Sequence, residues 1–265
     1  MRDGHIHSPY CPHGTKDAFE EYVERAIEIG LEEMTFTEHL PLPTGFKDPS
    51  PEDDSAMKID KLNSYINDVK AIKERYADKI KINVGLEVDY IEGYEEYTRD
   101  ILNEVGEELD DAILSVHIIK VDEEYHCVDY NPEEFIKLAH RLGGIDNLYS
   151  KYYQSVKKAI NSDLGKFKPK RIGHLNLVRK FNQVHPHDYS KNKDLLELIK
   201  LIKDENYEVD YNISGLRKND CKEPYLHGDL LDLIKEHDIP MVFGTDSHCA
   251  DEILCLRDFS SKVIR

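Results

Sequence analysis

Seven short apolar runs alternate with amphipathic stretches of helical period along the chain. The runs at 1–6, 34–37, 80–86, 112–116, 171–173, 209–213 and 240–244 read as strands, because they are short and turn-forming residues punctuate the stretches between them. Between the first two, 16–30 places Phe19, Tyr22, Val23, Ala26 and Ile27 on one helical face, with Thr15 expected as the N-cap and Gly30 as the stop. A second face carries Leu62, Tyr65, Ile66, Val69 and Ile72. Further helices are expected over 95–105, 132–142, 146–160, 194–204, 225–237 and from Asp251 onward. Strands taking turns with helices build βα units and hence a parallel sheet. Seven of them in 265 residues predict an α/β barrel close to the (β/α)8 type, one domain over 1–265. Two stretches, 40–56 and 176–193, fit no element and read as long loops, which in compact domains often serve function.

Each run delivers polar residues at its far end. The first leads into His5 and His7, the second into Glu38 and His39, the third into Glu87, and the fourth and fifth into His117 and His174. The sixth ends in Asn212, Ser214 and Gly215, the seventh in Asp246 and His248. In a parallel barrel these ends share one face, where such barrels build their sites. Imidazole and carboxylate are ligands for zinc, iron or manganese. His5 and His7 point to the same side of a strand, since side chains repeat every two residues, and Asp246 and His248 do the same if extended backbone continues through them. His13, in the loop after the first strand, is within reach of a neighbouring ion. A lone histidine is ordinarily a surface or core residue. Thirteen histidines, with so many at strand ends, are a pattern.

The bulk properties narrow the partners. A net charge of -18 provides no basic footprint for nucleic acid. No run of about 18 apolar residues exists to span a membrane, and the first residues carry no apolar leader core. Five cysteines, an odd count without a C-x-x-C pair, read as reduced thiols of a cytoplasmic protein.

The segments HIHSPYCPH, FTEH, GLEVDY, SVH, GHLNLVRKF, NISGLRK and GTDSH, in this order from His5 to His248, resemble the polymerase-and-histidinol-phosphatase (PHP) superfamily, and within it the monofunctional histidinol-phosphate phosphatases. The resemblance implies a distorted TIM-like (β/α)7 barrel with three divalent ions. One ion would be held by His5, His7, Glu87 and Asp246. A second would lie between Glu87, His117 and His174, with Glu87 bridging, and a third among His13, His39 and His248. It also implies phosphate-binding arginines, best matched by Arg179 and Arg217.

A phosphate monoester needs a nucleophile available at neutral pH and positive charge where the phosphoryl oxygens develop theirs. Coordination lowers the pKa of water to about 7, which meets the first need. The ions with Arg179 and Arg217 would meet the second, a planar guanidinium making paired bonds to phosphate. Glu38 is expected behind the ligands, orienting an imidazole. Asp246 or His248 is a candidate proton donor to the leaving alcohol. The expected activity is hydrolysis of L-histidinol phosphate in histidine biosynthesis. The alternatives are another small phosphomonoester or phosphotyrosine as substrate, and a non-catalytic metal-binding domain.

Overall fold

The computed structural model describes residues 1–254. Its strands and helices alternate, starting with β1 (Arg2–Ile6), α1 (Phe19–Glu28), β2 (Glu33–His39), α2 (Leu62–Arg75), β3 (Lys81–Asp89), α3 (Glu95–Val105) and β4 (Asp111–Ser115). A hairpin of β5 (Ile118–Val121) and β6 (Glu124–Cys127) follows, then α4 (Pro132–Arg141), α5 (Ile145–Asn161), β7 (Arg171–Ile172), α6 (Lys193–Asp204), β8 (Glu208–Asn212), α7 (Asp229–Glu236) and β9 (Met241–Gly244). Seven strands form one sheet in the order β1-β2-β3-β4-β7-β8-β9, all parallel. A parallel bridge between Ile6 and Ser247 brings its two edges together, so the sheet is a nearly closed barrel. The expected α/β barrel of seven strands is therefore the fold.

Each helix buries one apolar stripe. Tyr22, Val23 and Ala26 do so on α1, and Leu195, Leu198, Ile199 and Ile202 on α6. The strands between them are almost wholly buried, as both faces of a barrel wall must be. At the amino-terminal end of the barrel the fully buried Arg171 donates to the Gly4 carbonyl and to Asp111, both at 2.9 Å, and Arg2 also pairs with Asp111. That end is plugged by ionic contacts, which leaves the carboxyl end for the site.

Several expectations shift. Thr15 is not the cap of α1. Ala18 stands at that position, its N–H donating to Glu21 at 2.6 Å, while the Thr15 N–H donates to the His248 carbonyl at 2.9 Å. Gly30, at φ 79°, ends the helical segment as expected. The helix expected over 225–237 begins only at Asp229, because Gly228 at φ 55° turns the chain first. The β5–β6 hairpin was not expected. The segments 40–56 and 176–193 hold no helix or strand beyond a 3-10 turn at Leu177–Arg179 and the first residue of α6, Lys193. The helix expected from Asp251 is a 3-10 turn at Ala250–Glu252, and the remainder of that stretch lies outside the described residues. So does Cys255. The other four cysteines are free thiols.

Candidate metal centre

All nine residues read as ligands lie at the carboxyl end of the barrel. Register places His39 directly opposite Glu87 on adjacent strands. A shift in β1–β2 pairing between Asp3 and Ile6 marks an irregularity within β1 around His5. Extended backbone does not continue through Asp246, which adopts φ 51°. Aspartate tolerates this left-handed conformation better than most residues, yet it costs about 1–3 kcal/mol and clusters at functional sites. The turn still returns His248 to the site, its Nδ1 3.6 Å from Asp246 Oδ1.

Glu87 is the hub. Its Oε2 is 3.4 Å from His5 Nε2, 3.4 Å from His7 Nε2 and 3.3 Å from His39 Nδ1. Its Oε1 is 2.9 Å from His174 Nε2 and 3.7 Å from His117 Nε2. Asp246 Oδ1 faces His7 Nε2 at 3.2 Å and His5 Nε2 at 3.8 Å. His13 Nε2 meets His248 Nε2 at 3.0 Å. Ligand atoms of His5, His7 and Glu87, of His39, Glu87 and His117, and of His7, Cys11, His39 and His248 all gather within 4.8 Å of one another. Cys11 is an addition that spacing gave no reason to expect.

Behind the ring, a common pattern holds the imidazoles. Nδ1 faces an oxygen in His5 (Asp210, 2.6 Å), His117 (Asp89, 2.9 Å), His7 (Glu38, 3.3 Å), His13 (Asp54 carbonyl, 2.8 Å) and His248 (Asp246 carbonyl, 3.0 Å). An acceptor there fixes the proton on Nδ1 and leaves the Nε2 lone pair facing inward. Glu38 also accepts from the Ser8 hydroxyl at 2.5 Å, so it is fully buried and braces His7. Asn212 and Ser214, at the end of β8, donate to Asp246 at 3.1 and 2.9 Å.

Four atoms of this cluster are buried without any hydrogen-bond partner: Nε2 of His5 and His7, Nδ1 of His39, and Oε2 of Glu87. Each unpaired buried polar atom costs about 1–3 kcal/mol, so four in one cluster are a donor set suited to cations. Charge agrees. Burial would raise Glu87, but the imidazoles of His5, His39 and His117 hold it well below the usual carboxylate range. Burial opposes charge on His7 and His117, yet Asp246 and Glu38 carry the first to about 9, and Asp89 and Glu87 the second to about 10. Burial and neighbouring His7 drop His39 and His248 well below their ordinary range.

His13, His39, His117, His174, Asp246 and His248 open onto a cavity of about 460 Å³, lined also by Ser55, Asp89, Asp129, Lys180, Lys218, Tyr225 and Glu252. Arg179 and Arg217 are not among its lining residues. Arg179 donates to Glu223 at 2.5 Å and the His187 carbonyl at 2.9 Å, and stacks over Tyr189. Arg217 donates to the carbonyls of Thr245 and Asp246 at 2.9 and 3.0 Å. The cations on the cavity wall are the next residues, Lys180 and Lys218. Each arginine and its lysine lie at the end of a 3-10 turn, where successive side chains diverge by about 120°. Asp129 pairs with Lys180 at 2.9 Å, and that ammonium is the chief influence against burial in holding Asp129 down to about 2.

The PHP domain model matches residues 3–214. The histidinol-phosphatase of Bacillus subtilis is 42% identical over 254 residues, which cover 95% of each chain. The crystal structure of the Listeria monocytogenes hisK protein superposes with a TM-score of 0.93 at 36% identity, covering 99% of this chain and 100% of that one. A Lactococcus lactis histidinol phosphate phosphatase, solved with zinc, L-histidinol and phosphate, shares the fold with a TM-score of 0.74 at 22% identity, covering 94% of this chain and 86% of that one.

Proposed function

The chain belongs to the PHP domain family, and from that premise we propose that it is a metal-dependent phosphomonoesterase whose substrate is L-histidinol phosphate, hydrolysed to L-histidinol and phosphate. The observation that carries the reading is the convergence of unpaired buried atoms on Glu87, whose neighbours His39, His117 and His174 line a cavity that also presents Lys180 and Lys218. The relative of 42% identity acts in the same way by name. The donor set fits three divalent ions of the zinc, iron and manganese group. His5, His7, Glu87 and Asp246 hold one, Glu87, His117 and His174 a second, and His13, His39 and His248 a third. When bound, such ions supply Lewis acidity and a nucleophile ionised at neutral pH.

The chain's own groups do the rest. The Nδ1 acceptors keep each ligating nitrogen aimed inward. Lys180 and Lys218, in place of Arg179 and Arg217, bind the phosphoryl oxygens as point charges. Asp246 and His248 border the cavity, which supports one of them as the proton donor to the leaving alcohol. The four described free thiols suit a reducing cytoplasm.

The test is metal analysis of the purified protein joined to steady-state rates on a panel of phosphomonoesters that includes L-histidinol phosphate and phosphotyrosine. The highest kcat/KM is expected on L-histidinol phosphate. Equal rates across the panel would remove the substrate assignment, and no turnover of any ester by fully metallated protein would make it a binding domain.

A further inference from the structure

Of the nine ligands proposed above, His13 is the most exposed and lies in a loop outside the barrel strands. Its ring has two polar contacts. Nε2 faces His248, and Nδ1 donates to the Asp54 carbonyl at 2.8 Å. The second contact comes from the segment 40–56, which is not a free strap. Phe46 packs edge-on against Tyr94 and Tyr125, at 5.3 and 4.8 Å between ring centroids, and the Tyr97 hydroxyl donates to the Leu42 carbonyl at 3.1 Å. At the far end Ala56 and Met57 are buried. Between these anchors lies Asp48, itself buried. Its carboxylate accepts from the Ser50 N–H at 2.8 Å, the Ser55 N–H at 2.9 Å and the Ser55 hydroxyl at 2.7 Å. The Ser50 hydroxyl donates in turn to the Asp54 carboxylate at 2.8 Å. One buried carboxylate thus closes residues 48–55 into a compact turn whose Asp54 carbonyl points at His13.

We propose that Asp48 is a positioning residue for the His13 metal site: it folds the 48–55 turn so that the Asp54 carbonyl holds His13 in the tautomer and orientation that ligates. The proposal rests on His13 being a ligand, as read above. The physical argument is local. Barrel packing orients His5, His7 and His174, whose side chains are buried, but it cannot orient an exposed loop residue. A backbone carbonyl can, provided something rigid fixes the carbonyl. Removing such an outer partner ordinarily costs about 10- to 100-fold in metal affinity.

The experiment is chelator competition on the metallated protein, with bound ions counted per chain, for wild type, His13→Ala, Asp48→Ala and Asp48→Asn. Asp48→Ala is expected to lose one class of ion at about 10- to 100-fold less chelator and to keep the others, matching the class lost by His13→Ala. Asp48→Asn keeps one acceptor oxygen and should fall between. The double variant His13→Ala/Asp48→Ala should lose no more than His13→Ala alone. Should Asp48→Ala misfold, Asp48→Asn and Ser50→Ala carry the test. If His13→Ala drops one ion while Asp48→Ala and Asp48→Asn hold all ions at wild-type affinity, Asp48 does not position the site. If His13→Ala itself holds every ion, the ligand reading of His13 fails, and the proposal with it.

Discussion

At the scale of single residues, the site is a question of which atoms lack partners. Glu87 touches five imidazoles with two oxygens, and one of those oxygens has no hydrogen bond. Glu87→Gln keeps the volume and removes the charge that offsets the cluster. It should lower metal content per chain and cut kcat by orders of magnitude, and unchanged metal content at near-normal rate would remove Glu87 as the bridge. The two basic pairs give a sharper contrast. Lys180→Met should raise KM with metal content unchanged, since it removes a cavity-wall cation and the partner of Asp129 but no contact to the ligand residues. Arg217→Ala removes two bonds to the carbonyls flanking the Asp246 turn, so it should lower both metal content and thermal stability. If Arg217→Ala raised KM alone, Arg217 would be the phosphate ligand instead. The candidate ligands could be named from the sequence because metal chemistry admits few residue types and strand ends gather them. The lysines were not, because a 3-10 turn decides which of two adjacent cations faces inward, and no periodicity reports that choice. Asp210 and Asp89 escaped notice for a similar reason. Their carboxylates read as ordinary strand residues until His5 and His117 are seen beside them.

At the scale of elements, the seven barrel strands were legible to within a few residues, since a buried parallel strand is an apolar run. The β5–β6 hairpin was not, because its second strand, EYHC, is only half-buried and polar. The seam that closes the barrel was equally hidden. There Asp3 of β1 accepts from the Thr245 hydroxyl at 2.5 Å, and from the N–H groups of Thr245 and His5 at 3.1 Å each. Burial pushes Asp3 up to about 6 from its ordinary 3.8, against the opposing pull of Thr245. The sign follows from proton linkage. Between these values the folded chain holds a proton that the unfolded chain has lost, so this group's contribution declines as pH rises through about 6 and is flat above. Thr245→Val removes the donor that favours the carboxylate. It should therefore cost about 1–3 kcal/mol where Asp3 is ionised and less where it is protonated. Urea denaturation of both proteins across this range would show the gap widening with rising pH. A gap that narrows would mean that Asp3 is not the group Thr245 supports.

At the scale of the whole molecule, the barrel is asymmetric in what holds its two ends. The amino-terminal end is held by ion pairs of Arg171 and Arg2 with Asp111, and its buried unpaired atoms are guanidinium N–H donors. The carboxyl end instead buries unpaired imidazole nitrogens and a carboxylate oxygen, Nε2 of His5 and His7, Nδ1 of His39 and Oε2 of Glu87. Folding therefore brings together at one end groups that only a cation reconciles, and metal binding is linked to stability. A ligand that binds the folded chain alone stabilises it by about 2.7 kcal/mol at 100 times its Kd, and more at higher excess. Chelation should accordingly lower the melting temperature, and adding back one metal at a fixed concentration should restore it. Glu87→Gln should show a smaller metal response. The asymmetry makes the prediction spatial as well. Hydrogen exchange after chelation should rise at the carboxyl ends of β1, β3 and β9, while amides around Arg171 keep their protection. Uniform loss of protection over both ends would show that the ions support the fold as a whole, and an unchanged melting temperature would show that these ligand atoms need no metal to tolerate burial.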